Sequence, residues 1–128
     1  MNTIVVGYDE SPASERALER SAELAGLYGA KLIVTSAVPL LVEAGGFTGE
    51  PGPELLRAGR RAAELGANAE LVEAVGDAAD AIIEVATRHG ADLIVVGTRE
   101  PSQVERLLGH SVSESVQRMA HCDVLIVH

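Results

Sequence analysis

Short apolar runs alternate with amphipathic stretches along the whole chain. Five runs rich in Val, Ile and Leu predict buried strands at residues 3–7, 31–38, 69–75, 93–96 and 124–127. Between these runs, apolar residues recur every three or four positions, and this spacing predicts helices. The order β-α-β-α-β-α-β-α-β is typical of a parallel sheet with right-handed crossovers and helices on both faces. We therefore expect one α/β domain that spans residues 1–128.

Capping residues mark where the predicted helices begin and end. Ser11 is a good N-cap, Pro12 suits the first helical position, and Gly29 ends the first helix. Asp77 caps a later helix, with Asp80 as a weak capping-box partner, and Gly90 ends it. Each of the four predicted helices has a face of residues at helical spacing. In chain order these faces are Ala17, Leu18, Ser21, Leu24, Ala25 and Tyr28; Leu55, Ala58, Ala62 and Leu65; Ile82, Ile83 and Ala86; and Val112, Val116 and Met119.

One irregular region, Pro39 to Pro53, contains four glycines and three prolines. It is long for a connection between a strand and a helix. Two interpretations stay open at this point. The segment is either a mobile linker or a flap over the carboxyl ends of the strands.

Composition excludes several classes of protein. The formal charge is −9 and Lys31 is the single lysine, which argues against nucleic-acid binding. We expect no membrane association, because no run approaches the roughly 20 apolar residues of a membrane span, and we expect no signal peptide. The single cysteine, Cys122, excludes an intrachain disulfide and favours a cytoplasmic location; we expect it to be a small buried apolar residue.

The stretch after the fourth apolar run has features that suit an anion. The run Leu93 to Gly97 is followed by a polar loop, and residues 109–114 then open a serine-rich helix. Serines at a helix start cap free backbone N–H groups, which carry partial positive charge. The sequence therefore predicts a candidate anion site at this helix start.

Two groups of residues resemble the signatures of the universal stress protein family. Residues 4–11, IVVGYDES, resemble the N-terminal signature. The motifs GTR at 97–99, RLL at 106–108, SVSE at 111–114 and AHCDVLIV at 120–127 look like the C-terminal signature. The resemblance implies an adenine-nucleotide alpha-hydrolase-like, Rossmann-like fold with strand order 3-2-1-4-5. A ligand would then bind at the switch point between strands one and four, where Asp9 and Gly97 follow the strands.

The resemblance also implies a set of possible nucleotide contacts. Asp9 either contacts adenosine, as the resemblance implies, or ties its own loop together, because aspartate commonly accepts from backbone N–H groups two residues on. Gly97 either lets a phosphate or ribose approach the backbone or permits a positive φ. Ser111 and Ser113 either donate to a phosphate or only cap the helix. The full set is Gly7, Tyr8, Asp9, Val38, Gly97, Arg99, Gly109, His110, Ser111, Val112 and Ser113.

The phosphate-binding pattern of the family is only partly present. That pattern is Gly, two residues, Gly, nine residues, Gly, then Ser or Thr; Glu100 and His110 replace its second and third glycines. A carboxylate about 4 Å from a phosphate charge repels it by about 1 kcal/mol in water and about 4 kcal/mol at an effective dielectric constant of 20. Pro101 lacks an N–H donor. We regard Glu100 and Pro101 as residues that block the site, and we expect weak or no ATP binding.

Alternatives for the ligand stay open. Neutral His110 fills the space that a glycine would leave, whereas protonated His110 contacts a phosphate. A competent ATP or AMP site with a shifted Gly109-His110-Ser111 loop is the second interpretation. Magnesium is expected only if ATP is bound, and a module that serves structural interaction alone also stays open.

Other sites are poorly supported by the sequence. A phosphate-loop NTPase needs Gly-Lys, but Ala30 precedes the only lysine, and a receiver domain needs a lysine where strand five ends at Val127-His128. We expect no metal site, because the four histidines have no paired spacing and the adjacent His121 and Cys122 would point to opposite faces of a strand. No nucleophile, base and orienting group occur together, so we assign no catalytic residues; slow ATP hydrolysis is a minor alternative.

The last apolar run predicts how the chain assembles. The strand Val124, Leu125, Ile126 and Val127 is short, apolar and uncharged, and we place it at the edge of the sheet. An exposed edge of this kind favours pairing with another strand. The family resemblance implies that it pairs across a two-fold axis, so we predict a homodimer.

Overall fold

The structure is a computed structural model that describes residues 1–38, 51–98 and 111–128. These residues form strands and helices in the predicted alternation. In chain order they are β1 (Thr3–Gly7), α1 (Pro12–Tyr28), β2 (Lys31–Val38), α2 (Pro53–Glu64), β3 (Ala69–Val75), α3 (Ala78–His89), β4 (Leu93–Gly97), α4 (Val112–Met119) and β5 (Asp123–Val127). The predicted strand bounds agree with these to within one residue. Most of the irregular region Pro39 to Pro53, residues 39–50, lies outside the described ranges, and Pro53 begins α2.

The five strands form one sheet in the order β3-β2-β1-β4-β5, and all neighbouring pairs are parallel. This confirms the order that the family resemblance implied. The central strand β1 places Val6 beside Val34 of β2 and beside Val95 of β4. Chain order reverses between β1 and β4, so the loops after these strands diverge to opposite faces of the sheet. A crevice at their carboxyl ends follows from this arrangement.

The core consists of two apolar layers, one on each face of the sheet. Alternate residues of the central strand belong to different layers, with Val6 on the face covered by α1 and α2 and Val5 on the face covered by α3 and α4. Each face therefore needs apolar side chains, which explains the unbroken apolar runs in the sequence. The largest fully buried side chains include Ile4, Leu18, Leu32, Ile33, Leu55 and Ile94.

The predicted caps are confirmed. The Ser11 hydroxyl accepts from the N–H of Ser14 at 3.2 Å, and the Asp77 carboxylate accepts from the N–H of Asp80 at 3.4 Å. Gly29 and Gly90 end their helices in the left-handed region, with φ of 64° and 62°. Such caps satisfy backbone groups that helix ends leave unpaired, which is why these boundaries were readable from the sequence.

Three residues are more exposed than their apolar character suggests. Tyr28 is 58% exposed, because α1 with 17 residues is about 25 Å long and extends beyond the shorter β1. Leu65, predicted to share the apolar face of α2, is 37% exposed because that helix ends at Glu64. Cys122 was expected to be buried, but it is only half-buried because it lies in the turn before β5.

Candidate functional site

A cavity of about 280 Å³ lies at the carboxyl ends of β1, β2 and β4. Its walls come from the strand ends and from the first turns of α1, α2, α3 and α4. We call it the crevice. The residues that line it are Gly7, Tyr8, Asp9, Ser11, Ser14, Thr35, Ser36, Ala37, Glu54, Ala78, Ile82, Val96, Gly97, Ser111, Val112 and Ser113.

Gly7 is closely covered by α3. An added Cβ at this position would lie 2.6 Å from Cδ1 of Ile82 and 3.6 Å from Cγ1 of Val96. The missing side chain therefore leaves room for Ile82 at the floor of the crevice. Gly7 also lines the crevice, and helix packing is a reason for the glycine that does not depend on a ligand.

Gly97 lies beneath the first turn of α1. An added Cβ would overlap the carbonyl group of Ala13, with the carbonyl carbon only 2.5 Å away. The described glycines with positive φ are Gly29, Gly66, Gly76 and Gly90, so the interpretation that Gly97 permits a positive φ is wrong. Close packing of α1 against β4 requires a glycine here with or without a ligand.

The loop after β1 is held together by its own polar groups. The N–H of Ser11 donates to the Asp9 carboxylate at 3.0 Å, and the N–H of Asp9 donates to the Ser14 hydroxyl at 3.3 Å. The Ser14 hydroxyl in turn donates to the backbone carbonyl of Ser11 at 3.0 Å. These bonds support the loop-tying role that was considered for Asp9, and they hold its exposed side chain at the rim of the crevice.

Glu10 is the one described non-glycine residue with positive φ, at 63°. Strained backbone of this kind persists only where surrounding contacts hold it. Arg57 of α2 supplies two such contacts, because its guanidinium donates to both Glu10 oxygens at 2.6 and 2.8 Å. The hydrogen bonds from Arg57 lower the pKa of Glu10. This ion pair joins α2 to the loop that carries Asp9.

The side of the crevice formed by α1 and α2 is acidic. Burial raises the pKa of Glu54, nearby Glu10 and Asp9 raise it further, and the hydrogen bond from the Ser36 hydroxyl at 3.1 Å opposes the change. Burial also raises the pKa of Tyr8, whose hydroxyl donates to the Glu15 carboxylate. An anionic ligand group is therefore disfavoured on this side.

The opposite side of the crevice is formed by the start of α4 and carries hydroxyl groups. The Ser111 hydroxyl accepts from the N–H of Glu114 at 3.3 Å and lies 3.2 Å from the Ser113 hydroxyl. The bond between the two serines uses one of their two hydroxyl hydrogens, so the other can be donated to a ligand. Ser111, Val112 and Ser113, which the sequence predicts as possible nucleotide contacts, all line the crevice.

The structure does not describe every predicted site residue. Arg99, Glu100, Pro101, Gly109 and His110 lie outside the described residues. Val38 ends β2, but its side chain also falls outside what the structure describes. Among the residues that are described, no cluster of three or more His, Cys, Asp or Glu could hold a metal ion. No helix of the described ranges is both long and apolar enough to cross a membrane.

Sequence reasoning missed a group of crevice residues at the start of α1 and on β2, α2, α3 and β4. Thr35 and Ser36 are polar residues within an otherwise apolar strand, and this interruption was a usable signal. Most of the others gave no such signal, because a small or apolar residue looks the same in a core and in a crevice, and a glutamate in a first helical turn such as Glu54 is common without any ligand. The missed lining residues are Ser11, Ser14, Thr35, Ser36, Ala37, Glu54, Ala78, Ile82 and Val96.

A second cavity, also about 280 Å³, lies beside the end of α3. His121 and Cys122 both line it. The expectation that they point to opposite faces assumed that both lie in a strand, and this assumption was wrong because both precede β5. Burial raises the pKa of the Cys122 thiol, which makes it less reactive.

Comparisons with known proteins agree in family and fold. The model of the universal stress protein family matches residues 1–128. Universal stress protein Rv1636 of Mycobacterium tuberculosis is 43% identical over 141 aligned residues, which cover 98% of this chain and 95% of that protein. Universal stress protein YxiE of Bacillus subtilis is 34% identical, with 98% of each chain covered.

Two similar solved structures hold adenine nucleotides. One is a universal stress protein in complex with cAMP, with a TM-score of 0.80 and 39% identity over 99% of this chain and 96% of that one. The other is the universal stress protein from Archaeoglobus fulgidus in complex with dAMP, with a TM-score of 0.76 and 26% identity over 100% and 98% of the two chains.

Proposed function

Because the chain belongs to the universal stress protein family, we propose that it is a stress-response or signalling module that binds an adenine nucleoside monophosphate in the crevice. The observation that carries this proposal is the polarity of the crevice, which has hydroxyl donors at one end, an apolar floor and carboxylates at the other. The similar proteins in complex with cAMP and dAMP support a ligand of this class.

The phosphate group fits best at the start of α4. This helix start offers the Ser111 and Ser113 hydroxyls together with backbone N–H groups of partial positive charge. The start of α1 also borders the crevice, but Asp9, Glu10 and Glu15 lie there. Like charges repel, so a phosphate is more stable at α4.

With the phosphate at α4, the base extends toward β2. Strands β4, β1 and β2 are neighbours, and two strand spacings of about 4.8 Å separate β2 from β4 by about 10 Å. Thr35, Ser36 and Ala37 line the crevice at this end. The apolar floor formed by Ile82 and Val96 then lies beneath the middle of the ligand.

A monophosphate suits the chain better than a triphosphate. The crevice volume of about 280 Å³ is near the lower limit of typical small-molecule sites, which span about 300–1,000 Å³. In the sequence, Glu100 and His110 replace two glycines of the phosphate pattern, and Pro101 lacks an N–H. We therefore propose that AMP or cAMP binds and that ATP binds weakly, with magnesium only if ATP is bound. A shifted Gly109-His110-Ser111 loop that accepts ATP is the alternative.

We also propose that the protein is a homodimer that forms through β5 and acts in the cytoplasm. Residues Val124 to Val127 are apolar and only half-buried, and they lie in the strand at one edge of the sheet. Pairing with a second copy of this strand would cover that edge and satisfy its outward backbone groups. The single cysteine supports the cytoplasmic location.

Calorimetric titration with AMP, cAMP and ATP, with and without magnesium, tests the nucleotide proposal. We expect micromolar binding of AMP or cAMP and at least about tenfold weaker binding of ATP. The double variant Glu100→Gly/His110→Gly should bring ATP to the affinity of AMP, because it restores the two glycines. Assay of phosphate release in the same samples tests the slow-hydrolase alternative.

Three outcomes of this titration would change the proposal. ATP binding as tight as AMP binding in the natural protein would favour the shifted loop. Unchanged ATP affinity in the double variant would show that Glu100 and His110 do not exclude it. The absence of any nucleotide binding by both proteins would move the function to the dimer surface.

A further inference from the structure

Thr35 carries a buried hydroxyl that the described structure leaves unsatisfied. The residue is 1% exposed, and its Oγ1 is the one buried side-chain N or O atom of the described residues that has no hydrogen-bond partner. We propose that the Thr35 hydroxyl is a ligand-binding group that hydrogen-bonds the base of the nucleotide. This inference rests on the proposed function and adds a base-recognition residue to it.

An unpaired hydroxyl at this depth calls for an explanation. Buried polar groups in folded proteins almost always have a partner, because leaving one unpaired costs free energy. Two buried serines follow that rule: the Ser21 hydroxyl donates to the carbonyl of Leu18 at 3.0 Å, and the Ser36 hydroxyl donates to Glu54. A partner that arrives with the ligand explains why Thr35 differs.

Thr35 lies at the floor of the crevice, with its hydroxyl buried beneath the crevice surface. In the parallel register, Thr35 pairs with Gly7, and both line the crevice. Side chains alternate along β2, so Thr35 shares a face with Ile33, in the layer covered by α3 and α4. Ser36 points to the other face, where it meets Glu54. Thr35 is therefore the polar group on that side at the carboxyl end of β2, where the crevice lies.

The chemistry of a hydroxyl suits a purine base. A threonine hydroxyl both donates and accepts, so it can pair with either a ring nitrogen or an exocyclic amino group. The phosphate end of the crevice lies two strands away, at Ser111 and Ser113, so Thr35 is too distant to contact the phosphate of the same nucleotide. The hydroxyl thus faces the part of the ligand that distinguishes one nucleotide from another.

Two substitutions at Thr35 and one matched control test this inference. Thr35→Val keeps the shape and removes the hydroxyl, whereas Thr35→Ser keeps the hydroxyl. Ser21→Ala removes a buried hydroxyl that is paired and lies outside the crevice. AMP affinity is measured by calorimetry, and ribose 5-phosphate, which lacks the base, is measured by competition against AMP. Thermal unfolding of each ligand-free protein is recorded as well.

We expect Thr35→Val to weaken AMP binding by about tenfold and to leave ribose 5-phosphate unaffected. Thr35→Ser should bind AMP within about twofold of the natural protein. Ligand-free Thr35→Val should unfold at the same or a higher temperature, because an unpaired polar group has been removed, while Ser21→Ala should unfold at a lower temperature. Ser21→Ala should bind AMP normally.

Each contrary result has a distinct meaning. Unchanged AMP affinity in Thr35→Val, with normal binding by the natural protein, overturns the role of the hydroxyl and leaves the proposed function standing. An equal loss for AMP and ribose 5-phosphate overturns the assignment to the base. A lower unfolding temperature of ligand-free Thr35→Val shows that the hydroxyl already has a partner. Failure of the natural protein to bind any nucleotide overturns the proposed function, and this inference with it.

Discussion

The Ser36 hydroxyl donates to Oε1 of Glu54 at 3.1 Å, and this bond joins the carboxyl end of β2 to the first turn of α2. Burial nevertheless raises the pKa of Glu54, and nearby Glu10 and Asp9 act in the same direction. The bond therefore holds a carboxylate at the crevice wall in surroundings that favour its protonated form.

The raised pKa of Glu54 predicts how stability depends on pH. The folded protein binds this proton more tightly than the unfolded chain, so this contribution to stability is present below the ordinary glutamate pKa of 4.5 and is lost as pH rises through the folded pKa. Glu54→Gln should be more stable than the natural protein near pH 7, by less than about 1 kcal/mol because solvent screens the site. Chemical unfolding at pH 4 and pH 7 measures the difference, which should vanish at the lower pH.

Glu64→Gln is a suitable control for that experiment, because Glu64 is exposed at the end of the same helix. It should change stability little at either pH. If the natural protein were more stable than Glu54→Gln at pH 7, the ionised carboxylate would be favourable where it lies.

Packing at Gly97 predicts a large loss of stability on addition of one methyl group. In Gly97→Ala the Cβ would overlap the backbone carbonyl of Ala13, which cannot move without shifting α1. We expect a loss of about 1–3 kcal/mol or more, as for overpacked cores. Thermal or urea unfolding provides the measurement.

Gly26→Ala is the matched control for Gly97→Ala. Gly26 lies within α1, and an added Cβ there would meet nothing within 4 Å. Because alanine favours helix more than glycine does, this variant should gain up to about 1 kcal/mol. Equal stability of both variants would contradict the packing account of Gly97.

Two substitutions at Ser111 separate helix capping from phosphate binding. Ser111→Ala removes the acceptor for the N–H of Glu114 and should cost about 1 kcal/mol of stability as well as AMP affinity. Ser111→Asp keeps a good cap but places a negative charge where the phosphate is proposed. It should fold as stably as the natural protein and bind AMP at least about tenfold more weakly. Unimpaired AMP binding by Ser111→Asp would place the phosphate elsewhere.

The edge strand predicts different effects of proline at two adjacent positions. The carbonyl of Val127 accepts from the N–H of Thr98, so Val127 directs its backbone groups toward β4. Backbone groups of alternate residues point to opposite edges, so those of Leu125 point to β4 and those of Ile126 point outward. Ile126→Pro should therefore yield a folded monomer, or aggregate through its weakened edge, by light scattering. An unchanged dimer would contradict edge pairing.

Leu125→Pro is the control for the strand itself. It removes an N–H that faces β4, and proline in a paired position disrupts the ladder. We expect it to lose several kcal/mol, about 3 or more, and to fold poorly. Equal effects of the two prolines on folding would show that the orientation of the strand is not as described.

The sequence predicted the fold well because its signals are local. Buried strands read as apolar runs, and caps such as Ser11, Asp77 and Gly90 depend only on residues within one helical turn. Strand order was not readable in this way and came from the family resemblance. Order depends on which distant strands pair, and apolar runs of similar composition do not encode that choice.

The site was predicted less completely, for a related reason. Ser111 and Asp9 were found because they follow strands or open helices, at places where ligands bind in such sheets. Thr35 and Glu54 were missed because their importance comes from what surrounds them after folding. Burial without a partner, or beside other carboxylates, is a property of the tertiary structure.

The contact between Gly97 and Ala13 affects how the family signature can be used. That glycine is required for a helix to lie close to a strand, whatever the crevice contains. A descendant that had lost its ligand would still be expected to keep Gly97, because a replacement would destabilise the packing of α1 against β4. The first glycine of the signature thus records common ancestry, whereas evidence of ligand binding has to come from the other positions of the motif.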